Sequence, residues 1–432
     1  MVRLGEREWA VAAAMDGTRG VAGIAEAATR RGATIGSEVV ETFVAELAAA
    51  GLLEEAPGAS APPAQEIAPA MLGTPAERPL EPLPDTTFDC DGQGSCCRVY
   101  PTIVFLGRDV VRARAGLPDV LAGGDDEASA FTPVAGSVDP TSTPALVDGR
   151  CMYLAGDGRC GVHGALGPAA KPFGCRTFPL TYVDDGSSVR VVPRPECACV
   201  PRSASGAASG GPLVAPGVLV RGHLPPETFV HRLPERIALT RDVVVPVAEL
   251  AVWSRALGSV QTPDAAAALA ALADVVGRGL DAARDVALAA APPALDPARC
   301  GPHLRALREA AAGKMQEGWR SPRDLAQQSF VALDTACDLA LAAPEMFAAG
   351  PRSEREREAE ALHVRTVLFG HLCVADDAAV VLADELERRS AQVVAARALG
   401  AVAELAGLTD PAYGWPLALL EALVRGHGLA RR

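Results

Sequence analysis

Residues 90–106, CDGQGSCCRVYPTIVFL, and residues 151–199, CMYLAGDGRCGVHGALGPAAKPFGCRTFPLTYVDDGSSVRVVPRPECAC, decide how the chain is read. They carry eight of its eleven cysteines: Cys90, the adjacent Cys96 and Cys97, Cys151, Cys160, Cys175, Cys197 and Cys199, with His163 among them. Thiols at this density take a metal ion, an iron-sulfur cluster, or one another as disulfides. Eight bare thiolates held close together would repel strongly unless cations lay between them. Bound iron or zinc would supply that charge, with Arg98, Arg159, Lys171, Arg176 and Arg194 placed in sequence to assist.

Local turn signals say how the ligands converge. Gly92 and Gly94 allow a tight turn between Cys90 and Cys96. In extended backbone Cys96 and Cys97 point apart and would strain to grip one tetrahedral ion, so one is expected to ligate and the other to serve a second centre or the inner surroundings. Gly156-Asp157-Gly158 predicts a hairpin turn that brings Cys151 toward Cys160. Asp184-Asp185-Gly186 predicts a second hairpin between 180–182 and 189–192. Cys197 and Cys199 then share one side of an extended segment. Val99–Leu106 reads as a buried strand, a helix is expected from about Asp109, and 116–150 reads as loop.

No run of about 18 apolar residues occurs, and the short apolar start Trp9–Met15 follows Glu6, Arg7 and Glu8, so neither a membrane span nor a secretory signal is expected. That makes the cytoplasm the default compartment, where reducing buffers disfavour disulfides and tilt the cysteines toward metal. Iron and zinc both accept tetrahedral thiolates, and a thiol count above four tips the choice slightly toward iron-sulfur. His163 is a ligand or a hydrogen-bonding neighbour of one. The net charge of −13 excludes a broad nucleic-acid footprint, which requires a basic face.

The pattern of Cys90 with Cys96-Cys97, then Cys151, Cys160, His163, and Lys171-Pro172-x-x-Cys175-Arg176-x-Phe178-Pro179, resembles the YkgJ-type cysteine-cluster family, whose domain chelates zinc or iron. Many members carry another cysteine two or three residues after the first, where this chain has Gly92 and Gln93. The spacer between Cys160 and Cys175 is also similar to the flagellin lysine N-methylase branch. That similarity implies S-adenosylmethionine as a cofactor and methyl transfer to a protein lysine as an alternative activity. Arg176 then contacts a cluster sulfur or an acidic substrate, or is a structural ion-pair partner.

Outward from this stretch, residues 1–55 read as a small module of short helices, with Val40, Phe43, Val44 and Leu47 on one helix face and a stop at Gly51. Its Asp16-Gly17 turn and terminal Phe-x-x-x-Leu…Gly-Leu-Leu resemble the winged-helix-like PqqD peptide-binding domain, which implies recognition of a peptide or protein partner. A structural or DNA-binding winged helix is the other reading, and nine acidic against five basic residues in 1–55 disfavour DNA. Residues 56–85 hold eight prolines and read as a semi-extended linker.

Residues 202–217 are Gly/Ser/Ala-rich and loop-like, and from about Pro234 the chain reads as helical. Leu269, Leu272, Val276 and Leu280 form an apolar stripe. Ser321-Pro322 with Asp324 marks a helix start leading to Phe330, Leu333, Cys337 and Leu341. Leu362, Phe369 and Cys373 on one face, with Val364, Leu368 and Leu372 on the other, predict a buried helix, followed by another over 376–399. Cys337 and Cys373 therefore belong to the core, Cys300 has no assigned role, and the histidines outside the cysteine stretch show no metal spacing. No phosphate-cradling glycine loop, HExxH, GxSxG or Cys-x3-Cys-x2-Cys occurs. The expected fold is mainly α with small α+β parts: a module over 1–55, a linker over 56–85, a cysteine-rich metal-binding domain with short hairpins over 86–200, and a helical bundle over 218–432.

Overall fold

The computed structural model describes residues 10–12, 14–15, 19–30, 35–49, 76–88, 94–100, 105–116, 131–133, 141–144, 146–147, 149–156, 158–167, 170–204, 211–214, 224, 228–287, 292–316, 324–375 and 380–429. Mainly helical with a small sheet, it divides into two compact units that do not follow chain order. One comprises 1–68, 102–145 and 151–176, and the other 69–101, 146–150 and 177–432. The cysteine-rich stretch is thus shared between both units rather than closing on itself as one segment.

In the first unit, α1 (Val21–Arg30) and α2 (Ser37–Ala49) bury Ile24, Ala28, Val40 and Phe43 in a small core, with Val44 and Leu47 packed at its edge as the helical period requires. No strand occurs among the described residues of 10–49, so a wing is not part of what is seen.

The second unit begins within the proline-rich segment, at Pro69. Strand β1 (Leu80–Pro82) and a turn at Gly94 precede α3 (Cys96–Val99). In the first unit, β2 (Phe105–Leu106) leads into α4 (Gly107–Gly116), and β3 (Phe131–Pro133) and β4 (Thr141–Pro144) complete an antiparallel sheet ordered β2-β4-β3. The loop expected over 116–150 contains these two strands, and where a strand is expected over 99–106 Val99 closes a helical turn, with 101–104 outside the described residues. Two short helices follow, α5 (Gly161–Leu166) and α6 (Phe173–Thr177).

Back in the second unit, β5 (Leu180–Asp184) and β6 (Val189–Pro193) form the expected hairpin, with Gly186 at φ +85° in its turn. Helix α7 (Cys199–Ala204) and strand β7 (Val230–Arg232) come next. The sheet runs β1-β6-β5-β7, and both outer strands are parallel to their neighbours, Leu80 opposite Val189 and Val230 opposite Tyr182. The end of the expected linker is therefore structural: Leu83 is buried, and its N–H donates to Val191 O at 2.9 Å.

Before the helices, Arg236–Ala238 pairs antiparallel with Val244–Pro246, so regular helix begins at Val247 rather than near Pro234. The helices include α8 (Val247–Ala256), α9 (Ala265–Val276), α10 (Gly301–Gln316), α11 (Leu325–Ala342), α12 (Glu354–Phe369), α13 (Leu382–Ala406) and α14 (Pro416–Glu421). The expected stripe through Leu280 is interrupted, since α9 stops at Val276 and Leu280 opens a further helix. Asp324 caps α11 by accepting from the N–H groups of Ala326 and Gln327, which places the start where the sequence put it. Helix α12 is buried from Glu360 to Phe369, and Gly370 ends it before Leu372 and Cys373. The last long helix starts at Leu382, with 376–379 outside the described residues.

Helix α13 is the axis of this core, packed on α9, α11 and α10. Its Arg397 is buried and satisfied on every side, donating to Glu360 at 2.8 and 2.6 Å, to Asp264 at 2.8 Å and to Phe347 O at 3.0 Å. Those carboxylates push the guanidinium pKa up, and a buried charge persists here only because the pairing is complete.

Candidate metal centre

The cysteine pair of α3 is set by a helical turn. Gly94, at φ +69°, accepts from Cys97 N at 2.9 Å, and Tyr100 N reaches Cys96 O at 3.4 Å. Helical rather than extended backbone brings the two Sγ atoms to 3.9 Å, which corrects the expectation that they point apart. Two thiolates on one tetrahedral zinc at ~2.3 Å lie about 3.8 Å from each other, so the pair has the spacing to share one ion.

This turn stands on the helical core. Val99 is buried, its carbonyl accepts from His427 Nε2 at 2.7 Å, Arg98 is ion-paired with Asp410, and Tyr100 meets Phe178 edge-on at 5.9 Å.

Cys197 and Cys199 lie in the same unit, both buried beside Val200, Leu213 and Val214. They do not lie along an extended segment: Cys197 N donates to Arg194 O in a turn, and Cys199 opens α7. Between them and the sheet, Glu196 is buried with its side chain 1% exposed, and Oε1 lies 3.5 Å from both Arg194 and Arg425. Burial, then the Glu196 charge, drives the Tyr100 phenol well above its ordinary pKa. The Tyr100 hydroxyl and the Glu196 carboxylate face each other in this buried setting. Neither residue stands out in the sequence, because Tyr100 and Glu196 lie on distant segments.

In the first unit, Leu154 bridges Cys160, Ala155 N donates to Arg159 O at 2.9 Å, and Gly161 N to Tyr153 O at 2.7 Å. The Gly156–Gly158 turn thus exists and folds Cys160 back against 153–154, beyond Cys151, which is buried at the start of the loop. Phe105, Phe131 and Tyr153 pack together with centroids 5.1 to 6.1 Å apart and give this loop its footing. Cys160 caps α5, whose His163 is exposed. Cys175 sits on α6 with half-buried Arg176. Burial lowers the Arg176 pKa, buried Asp109 opposes that, and nearby Arg112 and Arg108 reinforce it. Asp109 also accepts from Leu106 N at 3.2 Å, which fixes the start of α4 around this charge cluster.

Among the described residues, no three of Cys, His, Asp and Glu are assembled as metal ligands. Cys90 lies outside the described residues. The ten described cysteines are thiols, and the donor chemistry that fits an ion directly is the Cys96–Cys97 pair.

A second polar cluster invites comparison with a nucleophile relay and fails the test. His371 Nε2 is 3.3 Å from both Asp185 Oδ2 and Ser254 Oγ. One ring nitrogen serving both partners cannot pass a proton from serine to carboxylate, and all three side chains are buried. The cluster is instead a fastener. Against the upward pull of burial, the hydrogen bond from His371, then those from Ser187, from Arg190 Nε at 2.7 Å and from Ser188 N at 2.8 Å, hold the Asp185 carboxyl far below the usual range. Arg190 in turn donates to Ala251 O at 2.9 Å and stacks over Phe369 at 4.6 Å. No helix among the described residues is long and apolar enough to cross a membrane.

Searches with this chain return no matching protein-family model, no matching curated protein and no matching solved structure.

Proposed function

We propose that this is a metal-binding cysteine-cluster protein whose first module recognises a peptide or protein. The observation that carries the reading is the 3.9 Å separation of the Cys96 and Cys97 sulfurs, a spacing suited to two ligands of one ion. The resemblance to the YkgJ-type family and the excess of thiols over four support it, and that excess favours iron-sulfur over zinc. Cys96 and Cys97 hold the ion, with Cys90, Cys197 and Cys199 as the pool for its remaining positions, while Cys151, Cys160, His163 and Cys175 are the candidates for a second centre. When bound, the metal supplies the positive charge that lets adjacent thiolates coexist. The α3 turn, docked through Val99 and Arg98, holds the pair rigid.

The test is metal and acid-labile sulfide analysis of full-length protein purified without oxygen, with its visible spectrum. Iron with sulfide, lost on Cys96→Ser or Cys97→Ser, is the expected result. Zinc without sulfide would keep the pair as ligands and replace the cluster by a structural ion. Neither metal after anaerobic reconstitution would overturn the proposal.

A further inference from the structure

Away from the cysteines, helices α10 and α13 and the π-helical turn Ala422–Gly426 enclose a cleft of about 380 Å³. It exists because Ala306, Ala310 and Ala391 present methyl groups where larger side chains would interdigitate and fill the space between the helices. The π turn, a feature frequent at functional sites, places Val424 on the wall. Leu307 and Leu429 complete an apolar surface.

Polar groups meet that surface from both helices. Gln392 is 6% exposed, lines the cleft, and its amide makes no hydrogen bond among the described residues. The amide opens onto the cleft, where an incoming partner can accept from it. Arg388, one helical turn earlier on the same face, is forked onto Glu385 through Nε at 2.7 Å and Nη2 at 2.5 Å. The fork fixes the guanidinium and leaves Nη1 as its uncommitted donor. From α10, exposed Glu309 and half-buried His303 line the same cleft and make no hydrogen bond or ion pair among the described residues.

We propose that this cleft binds a small zwitterionic amino acid with an apolar side chain. Its carboxylate accepts from Arg388 Nη1 and the Gln392 amide, an arrangement in which one anion meets a preset cation and an amide donor open to the cleft. Its ammonium faces Glu309, and its side chain lies against Leu307, Val424 and Leu429. The volume stands near the lower end for ligand pockets, as suits a ligand of this size. The site is independent of the metal proposal, since none of its residues belongs to the cysteine-rich stretch.

The experiment is calorimetric titration of the full-length protein with L-leucine, 4-methylpentanoate and isoamylamine, which share one apolar body and differ in charged groups. Saturable binding of L-leucine is expected, weakened about tenfold or more by Gln392→Leu and by Arg388→Met. Glu309→Gln should weaken L-leucine and leave 4-methylpentanoate unchanged. Ala310→Leu, which fills the cleft, should abolish binding, and circular dichroism checks that this variant folds. Should it not fold, the Gln392→Leu titration decides. No saturable heat with L-leucine up to about 10 mM would overturn the proposal, as would equal binding of 4-methylpentanoate or indifference to both Gln392→Leu and Ala310→Leu.

Discussion

Cys300, Cys337 and Cys373 are 3%, 0% and 5% exposed in the helical part, whereas Cys96, Cys97, Cys160 and Cys175 are only partly covered. Burial pushes the first three thiols up to about 11, 12 and 12, so near neutral pH they act as small apolar groups. Cys300, which no motif explained, belongs with them: it ends a 3-10 turn beneath α13 and packs in the same core. The same element thus has two uses in one chain. Packing silences the sulfur where helices meet, and short turns leave Cys96, Cys97, Cys160 and Cys175 partly open, although Cys151, Cys197 and Cys199 of the same stretch are buried.

The sharpest way to break this contrast is alkylation. At pH 8 a thiol of pKa about 12 is ionised only about one part in ten thousand, and only the thiolate reacts. Metal-free native protein treated with iodoacetamide should therefore modify Cys97 and Cys160 at least about a hundredfold faster than Cys337 and Cys373, as read by peptide mass spectrometry. Comparable rates would dissolve the distinction.

Acid tests the same burial on a different group. Burial pulls the His363 imidazolium pKa from ~6.5 down to about 3, with the Arg389 and Arg425 charges adding to the effect. Between those values the unfolded chain binds a proton that the folded chain refuses. This contribution to stability is complete above about pH 6.5 and is lost progressively as pH falls toward 3. Urea unfolding at pH 4 should show a loss of about 3 kcal/mol relative to pH 7 from this residue, and His363→Gln should remove that part of the slope.

The smallest effect comes from substitution. Cys337→Ser buries a hydroxyl in an apolar site and should cost about 1–3 kcal/mol, while Cys160→Ser in metal-free protein should stay within about 0.5 kcal/mol. Equal costs in urea unfolding would show that the partly covered cysteines are packing residues as well.

Local signals were legible in the sequence, and distant pairings were not. The 184–186 turn, the Asp324 cap and the burial of α12 follow from turn chemistry and helical period, which need only neighbouring residues. The Cys96–Cys97 turn was misread because four residues are too few to show a helical period. Strand β1 hid among prolines, yet it is a sheet edge, where Pro82 and its missing N–H are tolerated. Glu196 beside Tyr100, and Arg190 held between Asp185 and Ala251, depend on chain segments far apart in sequence, so no local pattern announced them. The clustering of potential ligands was plain in composition, but the division of the stretch between two units was not.

The fastener at Asp185 also sets an order of events during synthesis. His371 follows it by 186 residues, so at 5–20 residues per second the hairpin waits about 10 to 40 s for its imidazole. Arg190 meets Ala251 within the first part of that interval and Phe369 only near its end. Until then a charged pair destined for the interior remains in water, and the ribosome delivers its cover last.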